Sequence, residues 1–379
     1  MKELKGIDKK EYEVLIVDRI GSEWLEYCIP EGCSRFIVEK RGIIPFVKSL
    51  SFFYTFLLFF VKIREFKISW LSAIILELKP KVVMTFIDNN RFMGKLQTIF
   101  PDILVVSVQN GSRDGDSDPC FEVQHKEYLS FPHYFGFGDY EFDIMKNRNC
   151  SVEKYYPIGS LKLGIFLSNF YNKKMQRYNK KSICFVSQYV YSISKSLDSI
   201  NVKYMKSLRE MCKLLSGFSK DNNISVDIAM RNELDSESYQ SELEFLKKFF
   251  DGDNIAFHAN ERENMASYQI GLDSDLIVAF HSTLLFELFG MGKKVLLCGR
   301  VDQDLVDMLG CRSQFKAMPN ECLLDSWIPD EFSKQVRSLI EMDDENFSIK
   351  SKDARKYYMN FGGEYPHQII HNAIQDKCK

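Results

Sequence analysis

Residues Ile277-Val278-Ala279-Phe280-His281-Ser282-Thr283-Leu284-Leu285-Phe286-Glu287-Leu288-Phe289-Gly290-Met291-Gly292-Lys293-Lys294-Val295-Leu296-Leu297 read as buried strand, polar turn, short apolar helix, glycine stop and second buried strand. The run Leu276 to Phe280 is continuously apolar, as in a strand covered on both faces. His281, Ser282 and Thr283 fall where that strand ends and the helix begins. A helix start offers unsatisfied backbone N–H groups and a positive dipole end, which suits a phosphate. Glu287 follows one turn after Thr283 on a similar face, where a carboxylate suits the hydroxyls of a ribose. Gly290 and Gly292 stop the helix. An ordinary core helix capped by Ser282 or Thr283 gives the same pattern.

Outward from this stretch, strand-like and helix-length segments alternate. Before it come candidate strands at 13–17, 35–38, 81–87, 103–108, 134–137 and 154–158, then 182–186, 224–228 and 255–257, with 294–297 after it. Helices are expected near 44–62, 69–78, 90–99, 139–147, 202–217, 237–250, 264–269, 283–290 and 330–341. The tail 351–377 looks helical, with an interruption at Gly362-Gly363 and Pro366. Strands alternating with helices imply parallel sheets covered on both faces. A polar, basic stretch within 160–180, including Asn169, Lys173, Lys174, Arg177 and Lys180, divides the series into two sets.

The 379 residues favour two domains. A net charge of −2 argues against a general nucleic-acid binder. Ten cysteines are scattered without a CxxC pair, which fits reduced thiols and gives no zinc spacing. The charged first ten residues lack the apolar core of a signal peptide, so a cytoplasmic protein is expected. The apolar segment 51–61 is too short to span a bilayer. With Lys48, Lys62, Arg64 and Lys67 beside it, it suits either a buried helix or a helix lying on an inner-membrane surface.

Ligands of open parallel sheets bind at the carboxyl edge. Polar residues follow six strands there: Asp88 to Arg91; Gln109, Asn110, Gly111, Ser112, Arg113 and Asp116; Ser187 and Gln188; Arg231 and Asn232; His258 and Asn260; and His281 to Thr283. Arg231 suits a phosphate or carboxylate bound through two N–H groups. Asp88 and Asp116 are candidates for a base; Asp88 equally fits a turn, and His258 and His281 equally fit structural histidines. No phosphate-binding P-loop, GxSxG elbow, HExxH or complete GxGxxG is present.

The pieces Val108-Gln109-Asn110-Gly111-Ser112-Arg113, Pro157-Ile158-Gly159-Ser160, Phe185-Val186-Ser187-Gln188 and Phe280 to Leu296 resemble bacterial surface-polysaccharide transferases of the two-domain GT-B type, closest to the capsule and lipopolysaccharide Kdo-transferase-like group. The resemblance covers about residues 80 to 300. It implies an α/β protein of two Rossmann-like domains facing a cleft, residues 1–165 on the acceptor side and 175–350 binding a nucleotide sugar, with the helix of 351–379 packing back on the first. It implies a metal-independent glycosyltransferase, hexosyl- or Kdo-type, with the nucleotide sugar as substrate rather than cofactor and a glycan or lipid-linked glycan as acceptor. Ser187, Gln188, Arg231, His258, His281, Ser282, Thr283 and Glu287 would serve the donor, Asn110 and Arg113 the acceptor side, and Asp88 or Asp116 the chemistry. His281 is followed by Ser282 rather than by the proline of the sialyl- and Kdo-transferase pattern. A nucleotide-sugar epimerase, a polyol-phosphate transferase and a non-catalytic glycan- or nucleotide-binding protein share the same outline.

Overall fold

The computed structural model describes residues 11–38, 66–90, 92–113, 129–148, 150–171, 181–234, 236–261, 265–309 and 312–378. β1 (Val14–Val17), β2 (Arg35–Val38), β3 (Val82–Thr85), β4 (Leu104–Val108), β5 (Ser130–Gly136) and β6 (Ser151–Pro157) form one sheet in the order β2-β1-β3-β4-β5-β6. β7 (Ser182–Val186), β8 (Ser225–Ala229), β9 (Ile255–His258), β10 (Leu276–Ala279) and β11 (Val295–Leu297) form a second, ordered β11-β10-β7-β8-β9. Every pairing in both sheets is parallel. The α/β architecture expected from sequence is the one observed.

Parallel strands need covering on both faces, and β1 shows how the sequence provides for it. Val14 and Ile16 pack on one side with Ile370 and Ile374 of the Pro366–Cys378 helix. Leu15 and Val17 pack on the other with Ile68, Leu71, Ile74 and Ile75 of the Phe66–Leu78 helix. In the second sheet β7 and β10 are wholly buried. The Ser199–Asn222 helix lays Met205, Leu208, Met211, Cys212, Leu215 and Phe218 on that core, a helical spacing of three and four. Asp198 starts it by accepting a hydrogen bond from the Ile200 amide, 2.9 Å. Cys184 lies in β7 as a small buried hydrophobe, and burial pushes its thiol up to about 12.

Two elements differ from expectation. Leu161–Asn169 is a helix where the sequence suggested the start of a linker, and Ser160 caps it by accepting from the Leu163 amide. The C-terminal return is also divided. The Asp344–Tyr358 helix packs on both the Asp139–Asn147 and Thr283–Gly290 helices, and only Pro366–Cys378 lies on the first sheet. The break between them holds Gly363 at φ 102, a conformation glycine adopts without strain. The apolar segment 51–61 and its neighbours Lys48, Lys62 and Arg64 lie outside the described residues, and Lys67 falls in the first turn of the Phe66–Leu78 helix. Among the described residues no helix is long and apolar enough to cross a membrane.

Candidate functional site

The carboxyl edges of both sheets border one cleft with two adjoining compartments. The smaller, 410 Å³, is walled by the loops after β7, β8, β9 and β10: Ser187, Gln188, Arg231, Asn260, His281, Ser282 and Thr283 are on it. The larger, 1570 Å³, adds the first sheet through the loops after β1, β3 and β4. Asn260, Ser267 and Leu284 border both.

In the smaller compartment the Thr283–Gly290 helix begins at Ser282, whose hydroxyl makes no capping bond. Thr283 and Leu284, the residues that open the helix, line the cavity, while the Leu285 amide bonds the Ser282 carbonyl at 3.1 Å. The Thr283 hydroxyl is engaged across the cleft: it accepts from the Ser112 amide at 3.0 Å and shares a hydrogen bond with the Ser112 hydroxyl, also 3.0 Å. The His281 backbone N–H donates to the Gln188 side chain, and the His281 ring meets the side-chain oxygen of Gln314. The Gln314 amide nitrogen donates to the Arg113 carbonyl. A carbonyl only accepts, so the oxygen of Gln314 faces the ring and Nε2 of His281 carries a proton. Contacts between the two halves thus fix the tautomer of a cleft histidine.

The larger compartment is shaped by the turn after β1. Asp18 has φ 82 and its carboxylate accepts from the Ile20 amide at 3.1 Å. Gly21 has φ 77, and a Cβ there would lie 2.2 Å from the Phe86 ring, so only glycine fits. Arg19 and Lys162 bring positive charge to this wall, Glu23, Glu26 and Glu287 negative. Glu26 is paired with Arg35 at 2.9 Å. Glu287 is 3% exposed and takes hydrogen bonds from Ser160 at 2.5 Å and Tyr268 at 2.9 Å, one on each oxygen. Burial raises its pKa, against the pull of Ser160, Lys162 and Tyr268.

Polar residues after β3 and β4 behave differently. Asp88 is 1% exposed, ion-paired with Arg113, and accepts from the Tyr134 hydroxyl at 2.6 Å. Neither Asp88 nor Arg113 lines either compartment. Beside them Gln109 donates to Gly111 and to Glu141, both at 2.8 Å, and accepts from the Phe137 amide. Burial pushes the Glu141 carboxyl up to about 7.

The structure therefore gathers Ser187, Gln188, Arg231, His281, Ser282 and Thr283 around one cavity, with Glu287 and Asn110 on its neighbour. His258 lines neither; its ring binds Asp227 at 2.8 Å. Asp116 lies outside the described residues. From sequence Glu242, Gln314, Ser160 and Tyr268 have no site role, Ser160 appearing only within Pro157-Ile158-Gly159-Ser160. Only Ser160 carried a signal, a serine ahead of an apolar run at helical spacing. Among the described residues no group of three or more His, Cys, Asp or Glu side chains is placed to hold a metal ion.

Two parallel α/β sheets facing a cleft define the GT-B fold. The chain belongs to the family described as "putative O-antigen biosynthesis protein", which matches residues 106–304, more than half of its length. No curated protein matches it. Among solved structures it is similar to the UDP-GlcNAc 2-epimerase of Methanocaldococcus jannaschii bound to UDP-GlcNAc and UDP, at 11% identity and TM-score 0.54, covering 97% of this chain and 99% of that one. It is similar to MnaA of S. aureus with UDP, at 13% identity and TM-score 0.55, over 96% and 95% of the two chains. It is also similar to the wall teichoic acid polymerase TagF, at 10% identity and TM-score 0.55, over 98% and 90%.

Proposed function

We propose that the chain is a glycosyltransferase of O-antigen-type glycan assembly, moving a sugar from a nucleotide-activated donor to an acceptor hydroxyl. The observation that carries this reading is the division of the cleft. A cavity of 1570 Å³ exceeds the roughly 300–1,000 Å³ usual for one small ligand, and it adjoins a second compartment of 410 Å³. Two substrates have room side by side; an epimerase acting on a nucleotide sugar alone needs one.

In this reading the donor's phosphates lie against Arg231 and the start of the Thr283–Gly290 helix, with Ser187, Gln188 and His281 around them. Glu287 accepts from a ribose hydroxyl, the third donor to a carboxylate already held by Ser160 and Tyr268. Asp88 and Arg113 position the first-domain wall instead of meeting substrate, because each is closed in by the other. The base falls to Glu23, an exposed carboxylate on the acceptor wall beside the ion-paired Glu26. The charge developing on the leaving phosphates is met by Arg231 and the helix N–H groups, without a bound metal. Ile20, Tyr27 and Phe170 are 49%, 43% and 42% exposed at the rim of the larger compartment, apolar surface suited to a lipid-linked acceptor.

Incubation with labelled nucleotide sugars, including a CMP-linked Kdo-type donor, with and without lipid-linked glycan tests the reading. Sugar transfer only when acceptor is present is the expected result. Conversion of the nucleotide sugar alone to an epimer contradicts it. Glu23→Gln should lower kcat by about 10²–10⁴-fold and leave nucleotide affinity unchanged.

A further inference from the structure

Arg231 and Asn260 reach the smaller compartment from loops with no regular structure; one buried side chain holds the first loop, and the second is tied to the first. Glu242 lies within the Glu237–Leu246 helix and is 0% exposed. Its Oε1 accepts from the Ser187 hydroxyl at 2.5 Å and the Arg231 amide at 3.0 Å. Its Oε2 accepts from the Asn232 amide at 3.1 Å and the Asn232 side chain at 2.7 Å. Asn260 is then tied to the same turn: its amide donates to the Asn232 carbonyl at 3.1 Å and its side chain to the Arg231 carbonyl at 2.9 Å. Two backbone N–H groups and two side-chain donors from two strand-end loops thus converge on one carboxylate.

We infer that Glu242 is a positioning residue for donor binding: it sets the turn that aims Arg231 at the phosphates of a nucleotide and holds Ser187 and Asn260 on the same wall. This rests on the donor-pocket reading proposed above. The chemistry is specific to a carboxylate. Both of its oxygens face a backbone N–H, and a backbone N–H cannot become an acceptor. Glutamine has the same shape but offers one oxygen. Whichever way its amide is turned, an NH₂ group meets the N–H of Arg231 or of Asn232, and the turn must shift to separate them. Aspartate is one methylene too short to reach both loops from the same helix position.

The test is a double-mutant cycle on binding of CMP, UDP, GDP and CDP, measured by titration calorimetry on the full chain. With the tightest of the four, Glu242→Gln should weaken binding at least tenfold while a cooperative melting transition persists. Arg231→Ala should weaken it to a similar degree, and the double variant should lose clearly less than the sum of the two single losses, the remainder coming from Ser187 and Asn260. Additive losses would place the effect of Glu242 elsewhere and overturn the inference, as would unchanged affinity in Glu242→Gln. Absence of binding of all four nucleotides by the wild-type chain overturns the pocket reading and this inference with it. Should Glu242→Gln fail to fold, Asn232→Ala replaces it, withdrawing one donor from the same oxygen. A loss of about threefold that disappears in the Arg231→Ala background is then expected, and a loss that persists there overturns the inference.

Discussion

After β8 the chain turns Arg231 into the smaller compartment, and the backbone behind it is tied to Glu242. After β3 it turns Asp88 inward, where Arg113 and Tyr134 close over it. Both segments are polar loops at the carboxyl edge of a parallel sheet. The difference lies in where the compensating partner sits. On the second sheet the carboxylate comes from a helix beneath the loop, which leaves the arginine to face the cleft. On the first sheet the carboxylate is in the loop itself and binds the arginine of the next loop, so both charges are spent on each other. A charged residue at a strand end is left facing the cleft when its own loop is satisfied from behind.

The comparison breaks most visibly at the buried pair. Asp88→Ala or Arg113→Ala leaves one charge buried without its partner and should cost about 3–5 kcal/mol of stability, read from denaturant unfolding. If the pair instead reached substrate, the variants would keep their stability and lose turnover.

Glu141 sharpens the same contrast through pH. Its folded pKa of about 7 lies above the ordinary carboxyl value of 4.5, so between these values the native state holds a proton that the unfolded chain has released. That contribution is complete below the unfolded value and is lost as pH rises through the folded one. Stability should fall by about 3 kcal/mol between pH 4.5 and 7 from this group. Glu141→Gln keeps the acceptor used by Gln109 and should remove that part of the slope. A wild-type and variant pair with parallel stability–pH curves would contradict the buried-acid account.

Thr283 gives the smallest effect. Thr283→Val removes the acceptor of the Ser112 amide across the cleft and should cost about 0.5–1.5 kcal/mol in thermal or chemical unfolding. No change would mean that this contact between the halves contributes nothing measurable.

The architecture was legible because apolar strand runs and helical spacing are local properties. β2, β7 and the helices Asp139–Asn147 and Thr283–Gly290 fall where periodicity puts them. The strand ends also named most of the smaller compartment's wall, since parallel sheets fix which end of a strand meets a ligand. Orientation was not legible. Asp88 and Arg231 are alike in sequence, and only their distant partners, Arg113 and Glu242, separate a buried pair from a cleft side chain. Glu242 sits in Glu237–Leu246 among other acidic residues and reads as part of a solvated face. Gln314 acts through contacts with His281 and Arg113, residues 33 and 201 positions away, which no local pattern encodes. The helix at Leu161–Asn169 was obscured by the basic stretch that follows it.

The central claim, that the second sheet's edge holds a nucleotide through Arg231, is tested most directly by melting the wild-type chain and Arg231→Ala with CMP, UDP, GDP and CDP. At a hundred times its dissociation constant a bound nucleotide adds about 2.7 kcal/mol of stability. The account predicts that at least one of the four raises the melting temperature of the wild type, and that Arg231→Ala, itself within about 0.5 kcal/mol of wild-type stability, loses most of that rise. No shift with any nucleotide, or an undiminished shift in Arg231→Ala, would contradict it.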